Sequence, residues 1–142
     1  MFVTYCYFLG LRNLTVIRDA ELQIQKFQPD FVMDKVPDDD PETFKMLTEG
    51  KTQGVFQLES AGMTGVCVNM KASSIEDITA IVALYRPGPM DSIPKFIANK
   101  LDKRKITYKT PQLEPILKVT YGCIVYQEQV IEIFRRLGSY TM

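Results

Sequence analysis

A chain of 142 residues is long enough for one domain to bury about 70% of the surface its unfolded form exposes. Its 17 Lys and Arg balance 17 Asp and Glu, so net charge gives no sign of a nucleic-acid partner, and the absence of histidine removes the usual general base and the commonest metal ligand. Cys6, Cys67 and Cys123 have neither zinc nor CxxC spacing and read as small core residues of a protein in a reducing cytoplasm.

Residues 2–9 are rich in β-branched and aromatic side chains and predict one strand. The apolar run from Phe2 to Leu11 is too short to cross a bilayer and lacks the basic flank of a signal peptide, which implies a soluble cytoplasmic protein without a membrane partner. After Gly10 the pattern is mainly helical. Asn13 is placed to cap a first helix carrying Leu14, Ile17 and Ile24 on one face and ending before Pro29. Asp40 is placed to cap a second, with Pro41 at its first position and Gly50 as its stop. Ser73 and Glu76 have the spacing of a capping box, with Ile75, Ile78, Val82 and Tyr85 following at helical spacing. That helix ends near Arg86, because Pro87 and Pro89 interrupt it. Ser92 opens a short basic helix to about Lys103, and Ile106 to Tyr108 predicts a brief strand. Thr110-Pro111 starts another helix that Gly122 stops. The last runs from about Ile124 to Leu137, with Tyr126, Val130, Phe134 and Leu137 on one face and Gly138 closing it. The fold class is therefore mainly α: about six helices, one N-terminal strand and at most one more short strand. A lone strand cannot satisfy its own backbone groups, so the pattern points to a partial domain of a larger protein.

Charge is clustered although it sums to zero. Asp34, Asp38, Asp39, Asp40 and Glu42 form an acidic stretch, and Lys95, Lys100, Lys103, Arg104, Lys105 and Lys109 a basic one broken by Asp102. The basic run is either a solvated helix face or a set of phosphate contacts.

Four motifs go further. They are Phe8-Leu9-Gly10-Leu11 with Arg12-Asn13-Leu14-Thr15-Val16-Ile17; Gly54-Val55-Phe56-Gln57-Leu58-Glu59-Ser60 with Gly62-Met63; Ala83-Leu84-Tyr85-Arg86-Pro87-Gly88-Pro89-Met90; and Thr120-Tyr121-Gly122 with Val125-Tyr126-Gln127-Glu128-Gln129-Val130. In order and spacing they resemble the alpha subunits of bacterial DNA polymerase III, the C-family replicative polymerases. The resemblance covers nearly the whole chain from Phe8 onward. It implies that residues 1–9 are a remnant of the last palm strand and that residues 10–142 are the N-terminal part of the fingers, which close over the incoming deoxynucleotide.

The resemblance also implies what a working enzyme would need. Clustered aspartates hold Mg²⁺ ions that activate the primer hydroxyl and neutralise the leaving pyrophosphate. Two of these aspartates lie upstream in the family's palm, and the third usually precedes the Phe-Leu-Gly-Leu motif, where this chain has Tyr7. A phenol is a poor substitute for a carboxylate, so no catalytic or metal-binding residue and no cofactor are expected here. The basic motif that holds the triphosphate in the family follows shortly after the segment matching residues 137–141. The isolated chain is therefore expected to be inactive. In the parent enzyme the partners implied are primer-template DNA, deoxynucleotides and the other replicase subunits.

The candidate contacts to nucleotide or DNA are Arg86, Gln57, Ser60, Gln127, Lys103, Arg104 and Lys105. Arg86 leaves a helix at a rigid Pro-Gly-Pro turn, where it either faces DNA or caps the helix end. Gln57, Glu59 and Ser60 flank Phe56 and Leu58 in a segment bracketed by Gly54 and Gly62, as a structural turn or as a pocket surface. Gln127 and Glu128 build a buried network or face the pocket, while Tyr126 fits the apolar face. Two other readings remain: a non-catalytic module that binds DNA or a polymerase, and a truncated remnant whose uncovered apolar faces self-associate.

Overall fold

The computed structural model describes residues 10–140, so the predicted N-terminal strand, Tyr7 and Cys6 lie outside the described residues. The chain divides into two units, residues 1–37 and 38–142.

In the first unit, Arg12–Gln25 forms helix α1. Its N-cap is Leu11, not Asn13, and no side chain caps it, because the first turn is exposed and its free N–H groups face solvent. The segment after α1 folds back on it. Gln25 Nε2 donates to the Phe31 carbonyl at 2.8 Å, and the Met33 N–H donates to Glu21 Oε1 at 2.9 Å. None of the residues of α1 is buried, so Leu14, Ile17 and Ile24 do not form the inward face that their spacing predicts.

The second unit begins with α2, Pro41–Thr48, capped by Asp40, whose side chain accepts from the Thr43 N–H at 3.0 Å. Pro41 and Gly50 stand where the pattern predicts, with Gly50 in the left-handed region at φ +77°. Helix α3, Ala61–Met70, is a seventh helix that periodicity did not reveal. Helix α4, Ile75–Leu84, is capped by Ser74, one residue later than expected; the backbone N–H and hydroxyl of Ser73 instead donate to Asp77. A 3₁₀ turn at Pro89–Ser92 leads into α5, Ile93–Leu101. Pro111–Leu113 and Lys118–Thr120 are 3₁₀ turns around the short α6, Glu114–Leu117, and α7 spans Gln127–Gly138. Ile106 to Tyr108 forms no strand. No strand lies within reach to pair with it among the described residues, and extended backbone without a partner gains no ladder.

Helix α3 sits at the centre, packed on α2, α4 and α5. Met63, Val66, Cys67 and Met70 on α3, Phe44 and Leu47 on α2, Ala80, Ile81 and Leu84 on α4, and Phe96 on α5 make one continuous core. The Phe96 and Tyr121 rings meet edge to face at 5.2 Å, which ties the segment after α6 to this core.

An ion pair lies inside this packing. Lys100 Nζ is 2.9 Å from Asp77 Oδ2, with the two side chains only 11% and 5% exposed. The same ammonium donates to the carbonyls of Met70 at 3.1 Å and Lys71 at 3.0 Å. Removing one partner leaves the other charge buried and unpaired. Lys100→Met is therefore expected to cost about 3–5 kcal/mol, read as a lowered urea midpoint, and adding Asp77→Asn is expected to recover part of the loss.

Candidate nucleic-acid interface

Four surface regions carry the candidate residues, three from the motifs and one from the basic run. The first is the turn after α4. The Arg86 N–H donates to the Leu84 carbonyl at 2.8 Å, Gly88 takes φ +97°, and the Arg86 carbonyl accepts from Met90, so the Pro-Gly-Pro segment is a fixed corner. The guanidinium is exposed, forms no ion pair among the described residues, and makes only a long contact of 3.4 Å to the Val82 carbonyl. Helix capping thus engages one corner of the guanidinium and leaves the rest of its fork open.

The loop from Thr52 to Ser60 is the second region. Ser60 Oγ accepts from the Met63 N–H at 3.3 Å and caps α3, so its oxygen already has a structural task. Glu59 Oε1 accepts from the Gly54 N–H at 2.9 Å, and the Thr52 and Thr64 hydroxyls meet at 2.6 Å. Gly62 does not close a turn as its flanking position predicts; it lies in the first turn of α3 against the Tyr85 ring. A Cβ there would stand 1.7 Å from the Tyr85 hydroxyl. This contact brings the start of α3 beside the Arg86 turn. Gln57 is exposed, lacks a hydrogen-bond partner among the described residues, and sits at φ +65°, a backbone state that costs a non-glycine residue energy and is held by the loop around it.

Lys103–Lys105, a 3₁₀ turn, is the third region. Arg104 grips Asp102 with both forks, Nε to Oδ1 at 2.9 Å and Nη2 to Oδ2 at 3.1 Å, which raises its own pKa and lowers that of Asp102. Lys103 and Lys105 are exposed and without ion pairs among the described residues. This turn follows the C-terminal end of α5, whereas the Arg86 corner leads into its N-terminal end. The nine residues of α5 separate the two by about 13 Å, so the structure does not gather them into one site.

At α7 the polar residues divide differently from what the motif left open. Gln127 and Glu128 are exposed, Tyr126 is the half-buried N-cap, and Gln129 is buried. Gln129 Oε1 accepts from the N–H groups of Val125 and Tyr126 at 2.8 and 3.0 Å. Its Nε2 donates to the Ile116 carbonyl at 3.2 Å and to Thr120 Oγ1 at 2.7 Å, and Thr120 donates in turn to the Cys123 carbonyl at 2.6 Å. Val130, Phe134 and Leu137 are 40%, 59% and 40% exposed, so the stripe predicted to face a core is open.

The finger domain of the bacterial DNA polymerase III alpha subunit matches residues 13–142 as a family. The chain belongs to that family. It is 49% identical over 135 residues to the DNA polymerase III subunit alpha of Borreliella burgdorferi, covering 95% of this chain and 12% of that protein. With the DNA polymerase III subunit alpha of Staphylococcus aureus it shares 44% identity over 135 residues, 94% of this chain and 13% of that protein. This finger-domain chain thus spans about an eighth of the length of the relatives it matches.

No group of three or more Asp, Glu, Cys or His is clustered for a metal among the described residues. Asp40 caps α2 and Asp77 is bound to Lys100. Cys67 and Cys123 are buried, and burial raises both thiol pKa values, which fits small core residues. No helix among the described residues is long and apolar enough to cross a membrane.

Motif reading missed Gln129, whose buried amide holds four partners while the Gln127 side chain holds none among the described residues. Gln129→Leu is expected to destabilise the chain by about 3 kcal/mol in a urea melt, whereas Gln127→Leu is expected to change it by about 0.5 kcal/mol or less.

Proposed function

We propose that this chain is the part of a bacterial replicative polymerase where the last palm strand, residues 1–9, passes into the fingers, residues 10–142, and that its exposed cations and polar loops touch DNA and the incoming nucleotide. The observation that carries the reading is the finger-domain match over residues 13–142. The structure adds Arg86, a guanidinium open at a rigid corner beside the start of α3, a geometry suited to gripping a phosphate. Gln57, exposed in its strained loop, is the second contact, and Lys103 and Lys105 meet backbone phosphates. Ser60 and Arg104 act through the cap and the Asp102 clamp rather than by direct contact, and Gln127 lies on an outer turn.

In the parent enzyme the chemistry uses Mg²⁺ held by carboxylates outside these residues, with primer-template DNA, deoxynucleotides and further replicase subunits as partners in the cytoplasm. Tyr7 at the position where the family's third aspartate is expected supports an inert isolated chain. The exposed Val130, Ile131, Phe134 and Leu137 of α7 support self-association of the isolated chain, which sedimentation at rising concentration would register as a growing oligomer.

The test is a chimera in which residues 10–142 of this chain replace the matching segment of the Borreliella subunit, whose own sequence before that segment is kept. Primer extension is expected to persist, and Arg86→Ala within the chimera is expected to lower it about tenfold or more. A folded chimera that cannot extend a primer would overturn the reading. The isolated chain with Mg²⁺ and all four deoxynucleotides is expected to give no extension.

A further inference from the structure

A cleft of about 310 Å³ opens between the start of α5 and the segment that follows the Lys103–Lys105 turn, and the contacts proposed above do not use it. Its volume is at the lower end for small-ligand sites, room for one nucleotide-sized group rather than several. Ser92, Lys95, Tyr108, Lys109, Leu117 and Ile124 line it. Two kinds of surface meet there. Leu117, Ile124 and the Tyr108 ring make an apolar floor, and Lys95 and Lys109 bring positive charge to it.

Both lysines are available. Of the basic run, Lys100 is taken by Asp77 and Arg104 by Asp102, but neither Lys95 nor Lys109 makes an ion pair among the described residues. Lys95 is close enough to Cys123, another lining residue, for its charge to oppose the effect of burial on the thiol.

The wall is also preformed. Gly122 takes φ +78°, and a Cβ there would lie 3.1 Å from Ile106 Cγ2 and 3.4 Å from the Thr107 carbonyl. The segment before Tyr108 is thus packed against the Tyr121-Gly122 turn. Burial, with the nearby Glu114 charge, raises the Tyr108 pKa and so disfavours a phenolate there. An aromatic ring beside free lysines is how sequence-tolerant single-strand sites are built: the ring stacks on a base and the cations follow the phosphates. An acidic peptide would meet the lysines but would leave the ring and floor without a planar partner.

We propose that this cleft takes one unpaired nucleotide of single-stranded DNA, its base against Tyr108 and the apolar floor and its flanking phosphates on Lys95 and Lys109. The inference deepens the DNA-contact reading and rests on it.

The test titrates the intact 142-residue chain with fluorescein-labelled single-stranded oligothymidylate, an abasic strand of equal length and charge, and a duplex. The intact strand is expected to bind several-fold tighter than the abasic one. Tyr108→Ala should remove that difference, weakening the intact strand on the order of tenfold while sparing the abasic strand, and Tyr108→Phe should restore it. Lys95→Gln with Lys109→Gln should make the slope of log affinity against log salt shallower by about 1.4. Melts followed by circular dichroism establish that each variant is folded. Equal affinity for intact and abasic strands, a loss in Tyr108→Ala shared by both, or displacement by polyglutamate as effective as by free strand would each overturn the proposal. Duplex binding that falls with Lys103→Gln and Lys105→Gln reports on the broader reading alone, so the two can fail separately.

Discussion

Asp77 and Lys100 hold the second unit's helices in register. Lys71 turns the end of α3 into the left-handed region at φ +50°, and the carbonyls of Met70 and Lys71 then meet the ammonium of Lys100. A cation at that point also opposes the negative end of the α3 dipole. Asp77, in the first turn of α4, takes the same ammonium and the N–H of Ser73. One buried pair thereby joins the end of α3, the start of α4 and the far end of α5, and Ser73, Ser74 and the two carbonyls satisfy the polar atoms that surround it. Apolar packing can slide by a fraction of an ångström, whereas such a pair tolerates little displacement. The surface corners at both ends of α5 inherit their positions from it.

Punctuation was the legible part of the chain. Asp40, Pro41 and Gly50 delimit α2 as their chemistry requires, Pro87 and Pro89 end α4, and Gly122 ends the turn after α6. These residues act through their own backbones and need no tertiary context. What packing decides was not legible. Helix α3 is apolar on both faces, with Met63, Val66, Cys67 and Met70 buried and Ala61, Gly62 and Val68 exposed, so its sequence shows no contrast from which a stripe could be read, and Gly62 reads as a turn residue. The opposite error occurs at α7, whose stripe is strong although only Gln129 on that helix is buried. Periodicity reports that a face wants cover, not that the cover is in the same piece of chain.

The basic run shows the same limit at the level of the site. As a string of letters, Lys95 to Lys109 is one feature. In space it divides three ways: Lys100 turns inward, Arg104 is clamped by its neighbour, and the remaining lysines split between the turn after α5 and the cleft beside its start. For a member of a finger-domain family the division matters, because the charge left free at the surface is smaller than the charge that can be counted. Ser60 and Gln129 make a parallel case, since each is a polar residue of a family-like motif that the fold spends on itself.

The Tyr85 ring lying against Gly62 has a consequence for how this protein tolerates change. Glycine inside a helix ordinarily gives up about 1 kcal/mol relative to alanine, so a search for thermostable variants would single out position 62 early. The added methyl would occupy the space of the Tyr85 hydroxyl, and the ring would have to swing aside, taking with it the corner that carries Arg86. A substitution favourable to local helix formation would then shift a surface corner elsewhere in the unit, and heat resistance and the placement of Arg86 would pull the same codon in opposite directions.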